Sequence, residues 1–180
     1  DYSLPTLLGG RKEWYQPFLG GQYINLYLSP ADYHRVHIPT TGTLREMVHI
    51  PGRAFPVAPW SSRSIPDLFT RNERIVCLFD TTYGPMAVVM IGAFGVGSLE
   101  TVWSGVITPP FATSINSWHY APPAAVPFLT RGEEMGRFNL GSSVIVLFAK
   151  DRFNWTPSLK EDDRLQMGQI IGQGIPQADS

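Results

Sequence analysis

The chain has one cysteine in 180 residues, Cys77, and lacks most of the features that give small proteins an obvious chemistry. A single thiol closes no disulfide within the chain and supplies no cysteine-based zinc site. Set within the apolar stretch 74–79, Cys77 reads as a small buried hydrophobe rather than a nucleophile. Charge is also scarce. Fourteen Lys and Arg against fifteen Asp and Glu leave a formal net charge of −1 and no basic run, which argues against a nucleic-acid partner and against long-range attraction to an anionic surface. The longest apolar stretch, 85–96, is interrupted by Gly92 and Gly95 and is too short to span a bilayer. The first ten residues show no signal-peptide pattern, so the chain is expected to be soluble or peripheral to a membrane. It begins without an initiator methionine, which suggests a fragment or a processed form.

What is present is apolar residue in short runs. At 43% hydrophobic, 180 residues suffice for one domain with a sizeable core. Strand-forming residues in alternation or in short unbroken runs mark 23–28, 43–50, 74–79, 84–91, 98–103 and 144–148 as strands. The connection 80–84 has hairpin length. Short helical turns are expected over 3–8 and, capped, over 64–69. The glycines of 92–97 read as a bulge or a close backbone approach rather than a phosphate loop, because no helix follows them. A proline-rich stretch, 108–127, reads as a surface loop over a pocket or a membrane-facing edge, and the tail from 151 is polar apart from Ile170 and Ile171. With no repeat and no linker, these elements predict an α+β fold: a mostly β single domain of short antiparallel strands with a few short helices.

Two stretches carry chemistry. In the first, Gly141-Ser142-Ser143 stands immediately before the apolar run 144–148. A serine at the mouth of a buried strand is held by core packing, and the glycine before it leaves its own carbonyl open to a side-chain oxygen. An ordinary turn into a strand would look the same. The second is Ser29-Pro30-Ala31-Asp32-Tyr33-His34-Arg35-Val36-His37-Ile38-Pro39, two histidines three apart with a carboxylate ahead of them. Imidazole titrates near neutral pH and a carboxylate can fix its tautomer, so acid/base work or metal binding are both open, as is a structural role with the rings satisfied by backbone carbonyls. On a straight strand Asp32 and His34 share a face and His37 points away, so Asp32 and His37 meet only if the chain turns or bulges between them. His49 reads as scaffold.

Taken together, Tyr27 through Pro39, the block Asn72-Glu73-Arg74 to Asp80 with Gly84-Pro85-Met86, and Gly132-Glu133-Glu134-Met135-Gly136 through Gly141-Ser142-Ser143 resemble the phosphatidylserine decarboxylase family over nearly all of residues 1–150. The resemblance implies a proenzyme that cuts itself between Gly141 and Ser142 into a larger amino-terminal and a smaller carboxy-terminal subunit. Ser142 would attack the Gly141 carbonyl after losing its proton to a base, giving an ester. Elimination and hydrolysis then release ammonia and leave a covalent pyruvoyl group, the cofactor, at the position of Ser142. By the same resemblance His37 is the base, Asp32 is among the carboxylates that orient it, and His34 does acid/base work in decarboxylation. The pyruvoyl ketone serves as electron sink while phosphatidylserine loses carbon dioxide to give phosphatidylethanolamine, with no metal required.

The implied partners are phosphatidylserine in a membrane surface and the chain's own cleaved subunit, and a homo-oligomer is compatible with the pattern. The implied place is peripheral, on the cytoplasmic face of the cell membrane or on an organelle inner membrane. The sequence departs from the family twice. Ser143 stands where members commonly have Thr, and the family's upstream Asp-Gly motif lies before anything that matches Asp1, so an upstream segment is expected to be missing. Competing readings are a pyruvoyl decarboxylase of a soluble amino acid, a metal-dependent hydrolase using Asp32, His34 and His37 with His49 or His119, and a non-processing fragment acting as a binding domain.

Overall fold

The computed structural model describes residues 2–93, 98–107, 112–138 and 142–176. The expected strands form, and their pairing explains their composition. Strand β1 is Gln22–Leu28, β2 Arg35–His37, β3 Gly42–Ile50, β4 Arg74–Thr81, β5 Gly84–Ile91, β6 Leu99–Thr101 and β7 Gly105–Val106. They are followed by β8 Asn116–His119, β9 Phe128–Leu129, β10 Glu134–Phe138, β11 Ser142–Phe148, β12 Phe153–Trp155 and β13 Gly172–Gly174. Among the described residues, a seven-stranded sheet runs β1-β11-β5-β4-β3-β8, with β9 also pairing β3. A second sheet runs β2-β10-β6-β7, and β12 pairs β13. All the ladders between strands are antiparallel.

The unbroken apolar runs of β4, β5 and β11 belong to strands covered on both faces. In β11, Val144, Val146 and Phe148 join a core cluster that includes Val36, Leu99, Met135 and Phe138 of the four-stranded sheet. The alternate residues Ile145 and Leu147 join a second cluster with Leu7, Trp14, Phe18, Leu68 and Phe69 of the helical segments. The larger sheet is therefore the middle layer, with the small sheet on one face and short helices on the other. Cys77 lies fully buried in the inter-sheet cluster, and burial pushes its thiol upward, as expected of a residue that only packs.

The helices are α1 Leu4–Leu7, α2 Lys12–Tyr15, α3 Pro59–Ser64 and α4 Leu68–Arg71. Ser3 caps α1, its hydroxyl accepting from the Thr6 N–H, as the sequence suggests. The single helix expected over 64–69 is instead divided. Ile65, the residue before Pro66, is extended (φ −105°, ψ 112°), because a following proline ring disfavours helical backbone, so α3 stops at Ser64 and α4 restarts at Leu68. The proline-rich stretch is not wholly loop either, for β8 forms within it as an edge strand on β3. Residues 94–97, most of the glycine-rich segment, lie outside the described residues.

Candidate active site

The topology brings the two chemical stretches side by side. Strand β1 pairs with β11 in the large sheet, and β2 pairs with β10 in the small one. The chain therefore passes from the large sheet to the small one between Leu28 and Arg35, and Ser142, the first described residue after β10, pairs with that same Leu28. The Phe138 N–H donates to the His34 carbonyl (3.0 Å), which ties the end of β10 to the histidine stretch. Gly141 lies outside the described residues.

Ser142 opens β11, as the sequence suggests, and Ser143 is its second residue. Ser142 pairs with Leu28, and Ser143 with Tyr27 and Ile91. Because strand side chains alternate, Ser142 shares the face of Val144, Val146 and Phe148, toward the small sheet that carries His37. Ser143 shares the face of Ile145 and Leu147, toward the helices. Both residues are fully buried, and among the described residues neither hydroxyl has a hydrogen-bond partner. A buried hydroxyl without a partner carries a desolvation cost that native proteins seldom leave unexplained.

The histidine stretch does turn, at residues 30–32. Asp32 accepts from the Ser29 N–H at 2.8 Å, and its described bonds go to Ser29, not to His37. Hydrogen bonds from the Ser29 hydroxyl and backbone N–H hold the Asp32 carboxyl below its usual range. His37 is flanked by two other partners: Nδ1 lies 2.8 Å from the Gly132 carbonyl and Nε2 lies 2.7 Å from the Tyr33 hydroxyl. A carbonyl only accepts, so Nδ1 carries the proton and Nε2 is the basic nitrogen. His34 has the opposite tautomer. Its Nε2–H donates to the Pro30 carbonyl (3.2 Å), and its buried Nδ1 has no partner among the described residues.

An open cleft of about 580 Å³ lies over this crossing, lined by Asp32, Tyr33, His34, Arg35, Glu100, Arg137 and Phe138. Arg137 grips the Glu100 carboxylate with two donors, its Nε at 2.8 Å, and Arg35 pairs with Glu134. The pairing with Arg137 holds the Glu100 carboxyl below its usual range and the Arg137 guanidinium above its own. The cleft thus presents both signs of charge. Of the cleft-lining charges, Arg35, Glu100 and Arg137 were given no role from sequence, nor were Tyr33 and Gly132 as partners of His37. Tyr33 stands four residues before His37, a spacing with no meaning until the turn is known, and Gly132 is ninety-five residues away.

The other histidines lie elsewhere. His49 is fully buried in β3 with Nε2 on Glu73 (2.9 Å), consistent with scaffold, and His119 is on the exposed edge strand β8. Among the described residues no three His, Cys, Asp or Glu side chains come together as a metal-holding group.

Fold and candidate residues together define the class: a layered, mostly antiparallel α+β domain with a buried serine at the start of β11 in one sheet and two histidines at and beside β2 in the other. Comparison with known proteins makes the assignment specific. The sequence profile described as phosphatidylserine decarboxylase matches residues 1–173, and the chain belongs to that family. It is 51% identical over 179 residues to the phosphatidylserine decarboxylase proenzyme of Pseudomonas fluorescens, covering 99% of this chain and 62% of that protein. It is 54% identical over 173 residues to the proenzyme of Bordetella avium, covering 95% and 58% respectively. For the Azotobacter vinelandii proenzyme the values are 51% over 174 residues, 96% and 60%. The chain spans about three fifths of the length of the curated relatives it matches.

Proposed function

We propose that this chain is the catalytic part of a self-processing phosphatidylserine decarboxylase, cleaved between Gly141 and Ser142, with Ser142 as the nucleophile and the source of a pyruvoyl group. The observation that carries this reading is the Ser142 hydroxyl: buried, without a partner among the described residues, and on the face of β11 that looks toward the histidine-bearing sheet. Ser143, one residue on, faces the helices and is excluded by strand alternation from the same role.

His37 is the base. The Gly132 carbonyl fixes its proton on Nδ1 and leaves Nε2 as the atom that takes the Ser142 proton. His34, with its unpartnered buried Nδ1 beside the cleft, is the group that moves a proton at the substrate. Asp32 orients the stretch by capping its first turn through Ser29, and acts on His37 only through that backbone. The pyruvoyl group, once formed, supplies the electron sink for loss of carbon dioxide. The mixed charge of the cleft suits a headgroup that carries an ammonium, a carboxylate and a phosphate together. After cleavage the smaller subunit would begin with β11, which lies between β1 and β5 in the large sheet, so the two pieces stay joined by two complete ladders. No helix among the described residues is long and apolar enough to cross a membrane, and the substrate would be met at a membrane surface.

The test is the intact mass of the denatured protein beside Ser142→Ala. Two pieces dividing at 141/142, the smaller with a ketone in place of its amino terminus and neither present in the variant, are expected. Vesicles containing phosphatidylserine should then release carbon dioxide, and free serine should not. One uncut mass in both proteins defeats the proposal, and release from free serine alone shifts it to a soluble amino-acid substrate.

A further inference from the structure

Tyr33 has no part in the scheme above, yet it occupies the atom on which that scheme depends. Its hydroxyl lies 2.7 Å from His37 Nε2, and the two rings stack at 5.6 Å between centroids with 22° between planes. On the other side of the imidazole, the Gly132 carbonyl lies 2.8 Å from Nδ1. The turn that presents this carbonyl is itself pinned by backbone, Gly132 N–H donating to Ile38 O and Ile38 N–H to Glu133 O, each at 2.9 Å. With Nδ1–H committed to a carbonyl, the hydrogen bond at Nε2 of the neutral ring, the form that can act as a base, has one polarity, in which Tyr33 donates and His37 accepts. The Nε2 lone pair is then engaged. A neutral imidazole has only one, so it cannot accept from Ser142 at the same time.

We propose that Tyr33 is a positioning residue that withholds the His37 base from Ser142, and that its hydroxyl must leave Nε2 before self-cleavage can begin. This rests on the reading of His37 and Ser142 given above. Two observations favour a latch over a proton relay. A relay needs the Ser142 hydroxyl to donate to the Tyr33 oxygen, and among the described residues, Tyr33 included, that hydroxyl has no hydrogen-bond partner. A latch needs room to swing, and Tyr33 is 48% exposed at the open cleft. The charged groups nearest to His37 have partners of their own. Glu134, opposite it on β10, is paired with Arg35, and the Glu133 carboxylate accepts from the Thr130 N–H. Tyr33 is thus the side chain that engages Nε2. Displacing one neutral hydrogen bond sets the size of the effect at about three- to tenfold in rate.

The substitution Tyr33→Phe removes the hydroxyl and keeps the ring that stacks. Expressed from the protein's own gene, it should self-cleave about three- to tenfold faster than the unsubstituted protein. A Ser142→Ala background prevents cleavage and permits a second measurement, the nitrogen resonances of the His37 ring. There the Nε2 signal should move on Tyr33→Phe toward that of an unbonded pyridine-type nitrogen while Nδ1 stays protonated, a change that a merely structural tyrosine would not cause. Equal or slower cleavage by Tyr33→Phe, or an unmoved Nε2 resonance, overturns the proposal. Absence of cleavage in the unsubstituted protein refutes the functional reading instead, and the Nε2 resonance alone then decides whether Tyr33 holds that nitrogen.

Discussion

Asp32 shows how far a residue's neighbours in sequence differ from its partners in space. A carboxylate two residues before one histidine and five before another invites pairing with imidazole, yet its acceptor oxygens face Ser29, three residues back. A short acidic side chain closing a turn on a preceding N–H is the commoner use of aspartate after proline, and it wins here because Pro30 preorganises the turn. The consequence can be measured. Bonds from Ser29 lower the folded-state pKa of Asp32, so whatever order the turn gains from them is complete above the ordinary carboxylate range and is lost as pH falls through the lowered value. The Ser29 amide proton resonance should therefore titrate with a midpoint below an ordinary aspartate. Asp32→Asn keeps an acceptor for the N–H and should abolish that titration while leaving the resonance displaced. A midpoint at or above the ordinary aspartate value would show that the Ser29 bonds do not form in solution.

Strand β10 links the small sheet to the serine, and its weak point is Gly136. A Cβ placed there would stand 2.5 Å from the Glu100 carbonyl oxygen and 3.0 Å from Met90 Cε, so β10 is pressed against β6 at its side and against the large sheet beneath. Met90 can yield as a flexible side chain, but a backbone oxygen in a ladder cannot. Gly136→Ala should cost about 1–3 kcal/mol through this overpacking. Because β10 runs on to Phe138 and its bond to His34, the same change should slow self-cleavage more than an equally destabilising change in the helical layer. Urea unfolding together with the cleavage time course decides it; unaltered cleavage with lost stability would separate β10 from the site. Elements of this kind explain what could be read in advance. The buried runs 74–79, 84–91 and 144–148 were legible because strands covered on both faces need unbroken apolar residue. Strand β8 was not, since all four of its residues are exposed and only pairing with β3 makes it a strand. Likewise Asp32, His34, His37 and Ser142 were picked out as candidates by residue type and by the family resemblance, whereas Tyr33, Gly132, Glu100 and Arg137 make contacts that exist only once the two sheets face each other.

The whole molecule depends on fastening a helical layer of very short helices to one face of the large sheet, and helices of four to six residues have little stability of their own. Apolar burial provides part of the fastening, and Arg74 provides the rest. Its side chain, 2% exposed in β4, donates from Nε to Leu7 O (2.7 Å), from Nη2 to Thr6 O (2.7 Å), and from Nη1 to Thr70 O (2.9 Å) and Asn72 O (2.8 Å). Those carbonyls include the last of α1 and the end of α4, groups that helices this short leave unsatisfied. Burial lowers the guanidinium to about 10, which still leaves it charged at neutral pH, with carbonyl dipoles in place of a carboxylate partner. Arg74→Met retains most of the aliphatic volume and removes every donor, taking that partner from Leu7 O, Thr70 O and Asn72 O and leaving Thr6 O only the Gly9 N–H. The loss should reach about 3 kcal/mol or more in urea unfolding, with an unchanged dependence on denaturant if folding remains two-state. Amide exchange should localise it: residues of α1 and α4 lose protection first, while β5 and β11, paired on both sides, keep theirs. A loss below about 1 kcal/mol would mean that water reaches those carbonyls and that the helical layer is held by its apolar contacts alone.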